Sequence, residues 1–238
     1  MKPKNIVRIT AGITTLLGLG YALIAIHLPK SITKDDIEIL KLYNSDEECL
    51  DIDSYNKEIK CIKKIQLSQL KLIKGTRCRG KYINIGSKKL LKENKGCCYD
   101  RSRLTEQALQ YYGFQVRHVH LNHTEGIGYL NLLVPSTPSH AVTEVLTSRG
   151  WMGVDSNEPF ILIDKESNPN TYSQAIESGL AYDLSKNFKS FYLKPTIITI
   201  GLYSRHGTFF NPYLPNVPEI NFGDFFKNIY KIKKTKHL

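Results

Sequence analysis

The stretch Gly96-Cys97-Cys98-Tyr99-Asp100 stands where a basic, weakly patterned segment gives way to the clearest helical pattern in the chain beyond its N-terminal apolar run. The residues after it predict a helix over 99–112 that stops at Gly113, because apolar side chains recur at helical spacing: Leu104, Ala108, Leu109 and Tyr112. A cysteine therefore stands at a helix N-terminus, where free backbone N–H groups and the helix dipole favour a thiolate. Since the thiolate is the nucleophilic form, the sequence predicts covalent chemistry here.

Length and charge limit the kind of protein this is. A chain of 238 residues with 41% apolar content buries one ordinary core. The formal charge of +11 is concentrated between residues 54 and 95, where 13 Lys or Arg face only Glu58 and Glu93. This basic segment, 57–95, is either a solvated helical face or a surface for anionic lipid or acidic glycan. We expect no nucleic-acid partner.

The N-terminus carries a long apolar run. Residues 9–28 contain no Asp, Glu, Lys or Arg and follow Lys2, Lys4 and Arg8. The pattern predicts a cytoplasmic tail over 1–8, a single transmembrane signal-anchor over 9–28, and a catalytic domain on the periplasmic or extracellular side. A cleaved signal peptide is the alternative, although Ala22 and Ala25 have the wrong spacing for its cleavage site.

Five cysteines follow the apolar run, on its presumed oxidising side. Cys49 and Cys61 would close a short loop, and a second disulfide would join Cys78 to Cys97, which leaves Cys98 as the free thiol. The alternative is that all five are reduced and buried.

Two short extended segments predict a β-hairpin. Residues 140–146 and 151–155 flank a turn at 147–150 that contains Gly150. In such a hairpin His140 and Asp155 lie on adjacent strands, close to opposite each other, so their side chains meet on one face. A histidine and a carboxylate that orients it are thus placed together.

Three blocks in this order, 96–100, 140–145 and 151–155, resemble the transglutaminase-like core, a branch of the papain-like cysteine enzymes. The family pattern is Gly-x-Cys-x-Asp, then His-Ala-x-x-Glu-Val, then Gly-Trp-x-x-x-Asp. The resemblance implies an α+β fold in which a cysteine-bearing helix packs on an antiparallel sheet, and it implies a catalytic triad of Cys98, His140 and Asp155. It does not fix the reaction, since relatives include acyltransferases, peptidases, amidases and non-catalytic members.

The segments around this core are assigned by composition. A linker or packing segment, 29–54, precedes the core at 55–164. A C-terminal extension, 165–226, is expected to pack on the core, and a basic tail, 227–238, ends the chain.

The functional hypothesis is a membrane-anchored thiol enzyme that cleaves or transfers an acyl group from an amide or ester of a protein, peptide or glycopeptide. The alternative is a non-catalytic module of the same fold that docks glycan or a membrane partner through the basic segment or the 203–213 loop. The expected oxyanion donors are the Cys98 N–H and a side chain near Tyr82 or Asn84. Further candidates for the substrate cleft are Tyr203, Arg205 and His206.

We expect neither a metal nor an organic cofactor. His118, His120 and His123 include a His-x-His spacing that suits a metal, but no cysteine or carboxylate cluster lies next to them in the sequence.

Overall fold

The computed structural model describes residues 3–26, 32, 34–43, 49–76, 87–124 and 138–200. The helices of these segments are α1 Pro3–Ile26, α2 Lys34–Leu40, α3 Tyr55–Leu72, α4 Ser87–Glu93, α5 Cys98–Tyr111, α6 Tyr172–Glu177, α7 Leu180–Leu184 and α8 Lys189–Tyr192, with a 3₁₀ turn at Lys41–Tyr43. The strands are β1 Lys74–Gly75, β2 Lys95–Gly96, β3 Val116–His123, β4 Ser139–Thr147, β5 Gly150–Val154 and β6 Thr196–Ile200.

A four-stranded antiparallel sheet forms the centre of the molecule. Its strand order is β5-β4-β3-β6. β4 and β5 form the predicted hairpin, in which Thr147 pairs with Gly150 and Thr143 pairs with Val154. A carboxylate from α3 holds the hairpin turn, because Glu58 accepts hydrogen bonds from the backbone N–H and the hydroxyl of Ser148 at 2.9 and 2.8 Å. The α+β architecture therefore has the antiparallel sheet that the sequence predicted.

The cysteine helix α5 packs on one face of this sheet. Its apolar side chains Ala108 and Leu109 are fully buried against Val145 and Met152 of the hairpin. Helices α2 and α3 complete this cluster, and a disulfide joins Cys49 to Cys61 of α3 beside it. The start of α5 is thereby fixed relative to β4.

The short helices α6 to α8 cover the opposite face. Val119, Leu121 and Val142 pack there against Tyr172 and Tyr192. The fit is close at Gly153, where an added Cβ would lie 2.4 Å from Leu162 Cδ1 and 2.8 Å from Tyr172 Cε2. Residues 165–200 of the C-terminal extension thus belong to the same core as the hairpin, and strand β6 completes the sheet by pairing with β3.

The predicted transmembrane segment 9–28 is wrong. Residues 3–26 do form a helix, but no helix among the described residues is both long enough and apolar enough to cross a membrane. Glycines and threonines interrupt the apolar side chains of α1, and the hydroxyls of Thr14 and Thr15 donate to the carbonyls of Thr10 and Ala11 at 2.9 Å.

We predict that Gly153→Ala destabilises the protein by about 1–3 kcal/mol, since the new methyl group has no room beside Leu162 and Tyr172. Chemical denaturation monitored by circular dichroism measures the effect. The matched control is Gly12→Ala in α1, where an added Cβ meets nothing within 4 Å. Equal stability of the Gly153→Ala variant and the wild type would contradict the packing described for the hairpin.

Candidate active site

Cys98 is the first residue of α5 and is partly exposed. The residue before it is the N-cap, and the Cys97 N–H donates to Asp100 Oδ2 at 2.9 Å, which fixes the first turn of the helix. Cys97 itself is disulfide-bonded. Its predicted partner, Cys78, lies outside the described residues. Among the described cysteines only Cys98 is a free thiol.

His140 and Asp155 meet as the hairpin predicted. Because Thr143 pairs with Val154, Asp155 lies diagonally across from His140 on the same face of the sheet. His140 Nε2 lies 3.0 Å from Asp155 Oδ2, and the two residues are only 2% and 1% exposed. This contact is a buried hydrogen bond between an imidazole and a carboxylate.

Both carboxylate oxygens of Asp155 have further donors. The backbone N–H groups of Asn157 and Glu158 donate to Oδ1 at 2.7 and 2.8 Å. The hydroxyls of Tyr192 and Tyr172 donate to Oδ2 at 2.6 and 3.3 Å. Burial raises the pKa of Asp155. The charge and hydrogen bond of His140, then the Tyr192 hydroxyl and the Asn157 N–H, outweigh this effect and bring the pKa below its ordinary value, so the group is a carboxylate at neutral pH.

The thiol of Cys98 is hydrogen-bonded to His140. Since Nε2 faces Asp155, the nitrogen left for the sulfur is Nδ1. Burial raises the pKa of the Cys98 thiol, but the hydrogen bond and charge of His140 lower it, with help from the backbone N–H groups of Ala141 and Tyr99, and the net pKa is below the ordinary value.

The imidazole is correspondingly a strong base. Burial lowers the pKa of His140, but the charge and hydrogen bond of Asp155, followed by those of Cys98, raise it to about 10. The three residues together therefore favour a thiolate beside an imidazolium, with the carboxylate on the far side of the ring.

Aromatic rings enclose the imidazole. Phe188 stacks on His140 with ring centroids 5.4 Å apart and planes 4° apart, and Phe191 meets it edge-on at 5.9 Å. The buried carboxylate of Glu158 holds the loop before Phe188. It accepts hydrogen bonds from the Ser185 hydroxyl and from Asn187 N and Nδ2, the last two at 2.6 and 2.9 Å.

A second buried carboxylate, Glu144, positions the tyrosine layer. Its Oε1 accepts the Tyr172 N–H at 2.7 Å, and its Oε2 accepts Arg117 Nε at 2.7 Å. The hydroxyl of Tyr172 in turn donates to Asp155. Glu144 of β4 therefore helps to position a hydrogen-bond donor of the Asp155 carboxylate.

The catalytic, oxyanion and cleft residues predicted from the sequence divide into two groups. Cys98, His140 and Asp155 come together. The proposed oxyanion and cleft residues Tyr82, Asn84, Tyr203, Arg205 and His206, like Cys78, lie outside the described residues.

The histidines of β3 have other partners. His118 Nδ1 lies 2.7 Å from Glu106 Oε1, His120 Nδ1 lies 3.0 Å from Asn122 Nδ2, and His123 Nε2 lies 3.2 Å from the Phe191 carbonyl. Within the part of the chain that the structure describes, no group of three His, Cys, Asp or Glu is arranged to hold a metal ion.

Sequence reasoning missed several residues around the site. Tyr172, Phe188 and Tyr192 lie 17 to 37 residues beyond Asp155. They stand in short helices or directly before one, and no local signal marks them. Asn157 carried a weak signal, since it stands two residues after Asp155. Arg101 also carried one, because it stands one helical turn after Cys98.

The comparisons with known proteins add no family. No protein-family model matches this sequence, and no curated protein matches it.

We predict that iodoacetamide alkylation of Cys98 keeps its full rate to a lower pH than alkylation of free cysteine does, because the lowered pKa of the thiol keeps it ionised further into the acid range. An ordinary thiol with a pKa of about 8.5 instead slows about tenfold per pH unit below that value. The rate is measured by mass spectrometry of the modified peptide. A Cys98 profile like that of free cysteine would contradict the ion pair.

We predict that Tyr192→Phe raises the lowest pH at which iodoacetamide still alkylates Cys98 at its full rate. Loss of the 2.6 Å hydrogen bond raises the pKa of Asp155, so its carboxylate is protonated at higher pH and supports the imidazolium less well. The matched control is Tyr111→Phe, since Tyr111 is exposed on the last turn of α5. If Cys98 alkylation began to slow at the same pH in both variants and the wild type, Tyr192 would have no role in keeping Asp155 ionised.

Proposed function

We propose that this protein is a thiol enzyme that cleaves or transfers the acyl group of an amide or ester. The observation that carries the proposal is the position of His140, which is hydrogen-bonded to Asp155 through Nε2 and to the free thiol of Cys98 on its other side. This is the arrangement expected from the resemblance to the transglutaminase-like core. The fold supports it, since the cysteine opens a helix that packs on an antiparallel sheet.

In the proposed reaction the Cys98 thiolate attacks the carbonyl carbon, and a C–S bond forms as the carbonyl electron pair moves to oxygen. The Cys98 N–H, which as the first N–H of α5 has no acceptor within the helix, is a donor for this oxyanion. His140 then gives its Nδ1 proton to the departing amine or alcohol, and the C–N or C–O bond breaks to leave a thioester on Cys98.

Water or an amine resolves the thioester. The now neutral His140 takes a proton from the incoming group, which forms a bond to the acyl carbon, and the thiolate departs. Asp155 remains ionised throughout, because it keeps the ring orientation fixed and stabilises the imidazolium.

We further propose that the domain works in an oxidising compartment on a protein, peptide or glycopeptide. The disulfide Cys49–Cys61 and the bonded state of Cys97 support this, because structural disulfides are typical of such compartments. The basic segment supports an anionic lipid or glycan as a second partner, since nine of its lysines are exposed: Lys57, Lys60, Lys63, Lys71, Lys74, Lys88, Lys89, Lys92 and Lys95. Only part of this charge is offset locally, as at Lys88, which pairs with Asp35 and Glu38.

We predict that p-nitrophenyl acetate acetylates Cys98 and releases nitrophenolate in a burst equal to the enzyme concentration. Cys98→Ala abolishes the burst because the nucleophile is lost. His140→Ala slows it by at least about tenfold at pH 7, since the imidazolium that keeps the Cys98 thiol ionised is lost, whereas nitrophenolate leaves without needing a proton. Intact-mass measurement identifies the acetylated species.

Two outcomes would contradict the proposal. The first is acetylation at lysines alone, with Cys98 unmodified. The second is a Cys98 burst that is unchanged in His140→Ala, which would favour a non-catalytic module of the same fold with an accessible thiol.

A further inference from the structure

Arg101 is a buried guanidinium one helical turn after Cys98. Its side chain is 5% exposed, and no carboxylate among the described residues lies within ion-pair distance of it. Among the described residues, the Arg101 side chain makes one hydrogen bond, from Nη1 to Asn157 Oδ1 at 2.8 Å. Its Nε has no hydrogen-bond partner among them. Burying a cation with only a neutral amide as partner is costly unless nearby negative charge offsets it.

That negative charge is carried by Cys98 and Asp155, which together with His140 form the thiol site. Burial lowers the pKa of Arg101, whereas the charges of Asp155 and Cys98 raise it, so the guanidinium lies within electrostatic reach of both. Asn157 provides the structural link, because its backbone N–H binds Asp155 Oδ1 at 2.7 Å and its Nδ2 lies 3.5 Å from His140 Nδ1.

The backbone leaves room for this side chain. β1 pairs with β2 directly before the cysteine, and Gly75 of β1 pairs with Gly96. A Cβ on Gly75 would lie 2.7 Å from Arg101 Nη1, so the guanidinium occupies the space that a larger residue would fill.

The charges of the triad leave one negative charge that a buried guanidinium would neutralise. With Cys98 and Asp155 ionised, His140 carries the only positive charge within the triad, and one negative charge is left over. Among the described residues, the other titratable residues hydrogen-bonded to the Asp155 carboxylate or to the first turn of α5 are Asp100, Glu158, Tyr172 and Tyr192. Asp100 caps α5, Glu158 binds the 185–187 loop, and the tyrosines are neutral donors, so none of them supplies a positive charge.

We propose that Arg101 is a positioning residue of the thiol site, whose guanidinium supplies the second positive charge that lets Cys98 and Asp155 be ionised together. This inference rests on the proposed function, because it assigns a role within the same site. Asn157 and the space at Gly75 hold the guanidinium in place.

The test is the pH profile of Cys98 alkylation by iodoacetamide between pH 5 and 9.5 in the full chain. Arg101→Gln is expected to move the midpoint up by about one pH unit, so the rate falls by up to about tenfold at pH values below the wild-type midpoint while the rate at pH 9.5 stays unchanged. Arg101→Lys restores part of the shift because it keeps the charge. A merely structural role would lower the rate at every pH and would leave the midpoint in place.

Gly75→Ala provides a second variant that keeps Arg101 itself. The new methyl group displaces the flexible end of the guanidinium, so the midpoint moves in the same direction. This variant decides the question if Arg101→Gln does not fold. The matched control is Arg149→Gln on the hairpin turn, where the guanidinium lies over the Tyr55 ring at 4.4 Å, far along the chain from Cys98.

Superimposable profiles for Arg101→Gln, Gly75→Ala and the wild type would overturn the inference, provided that His140→Ala still shifts the midpoint. A His140→Ala profile identical to that of the wild type would instead remove the proposed function. The two failures are therefore distinguishable in one experiment.

Discussion

The hydrogen bond between His140 and Asp155 is the constraint on which the rest of the site depends. A carboxylate that is 1% exposed is stable only when hydrogen bonds and an opposite charge replace its lost water. Here two backbone N–H groups, two tyrosine hydroxyls and the imidazole do so. The same contact leaves Nδ1 of His140 for Cys98, so the stability of the carboxylate and the reactivity of the thiol have one physical origin.

The fold builds this contact from distant parts of the chain, and buried polar side chains hold those parts together. Gln66 of α3 donates through Nε2 to the carbonyls of Asp155 and Phe160 at 2.8 and 2.6 Å, which ties the loop after the hairpin to a helix nearly ninety residues earlier. Glu144 and Glu158 fix Tyr172 and the loop before Phe188 in the same way. Each of these groups is satisfied by several partners, as a low-dielectric interior requires.

Local patterns predicted the elements that carry the triad, because a helix start after Gly96 and a hairpin around Gly150 are set by neighbouring residues. They did not predict where the layer from α6 to α8 lies, because its short helices owe their position to long-range contacts with Asp155 and Val142. The transmembrane prediction for 9–28 depended on the absence of charge, and it was wrong, since no helix among the described residues is both long enough and apolar enough to cross a membrane. Helix α3 also departs from a simple apolar pattern, since Leu67 is exposed while Gln66 and Gln69 are buried.

The central claim is that His140 is an imidazolium beside an ionised Cys98 at neutral pH. The most direct measurement is the ¹⁵N NMR titration of the His140 ring, assigned by the loss of its signals in His140→Gln. The account predicts that both ring nitrogens carry protons at pH 7 to 8 and that the ring titrates with a pKa of about 10. A neutral ring at pH 8 with a pKa near the ordinary histidine value of about 6.5 would contradict it.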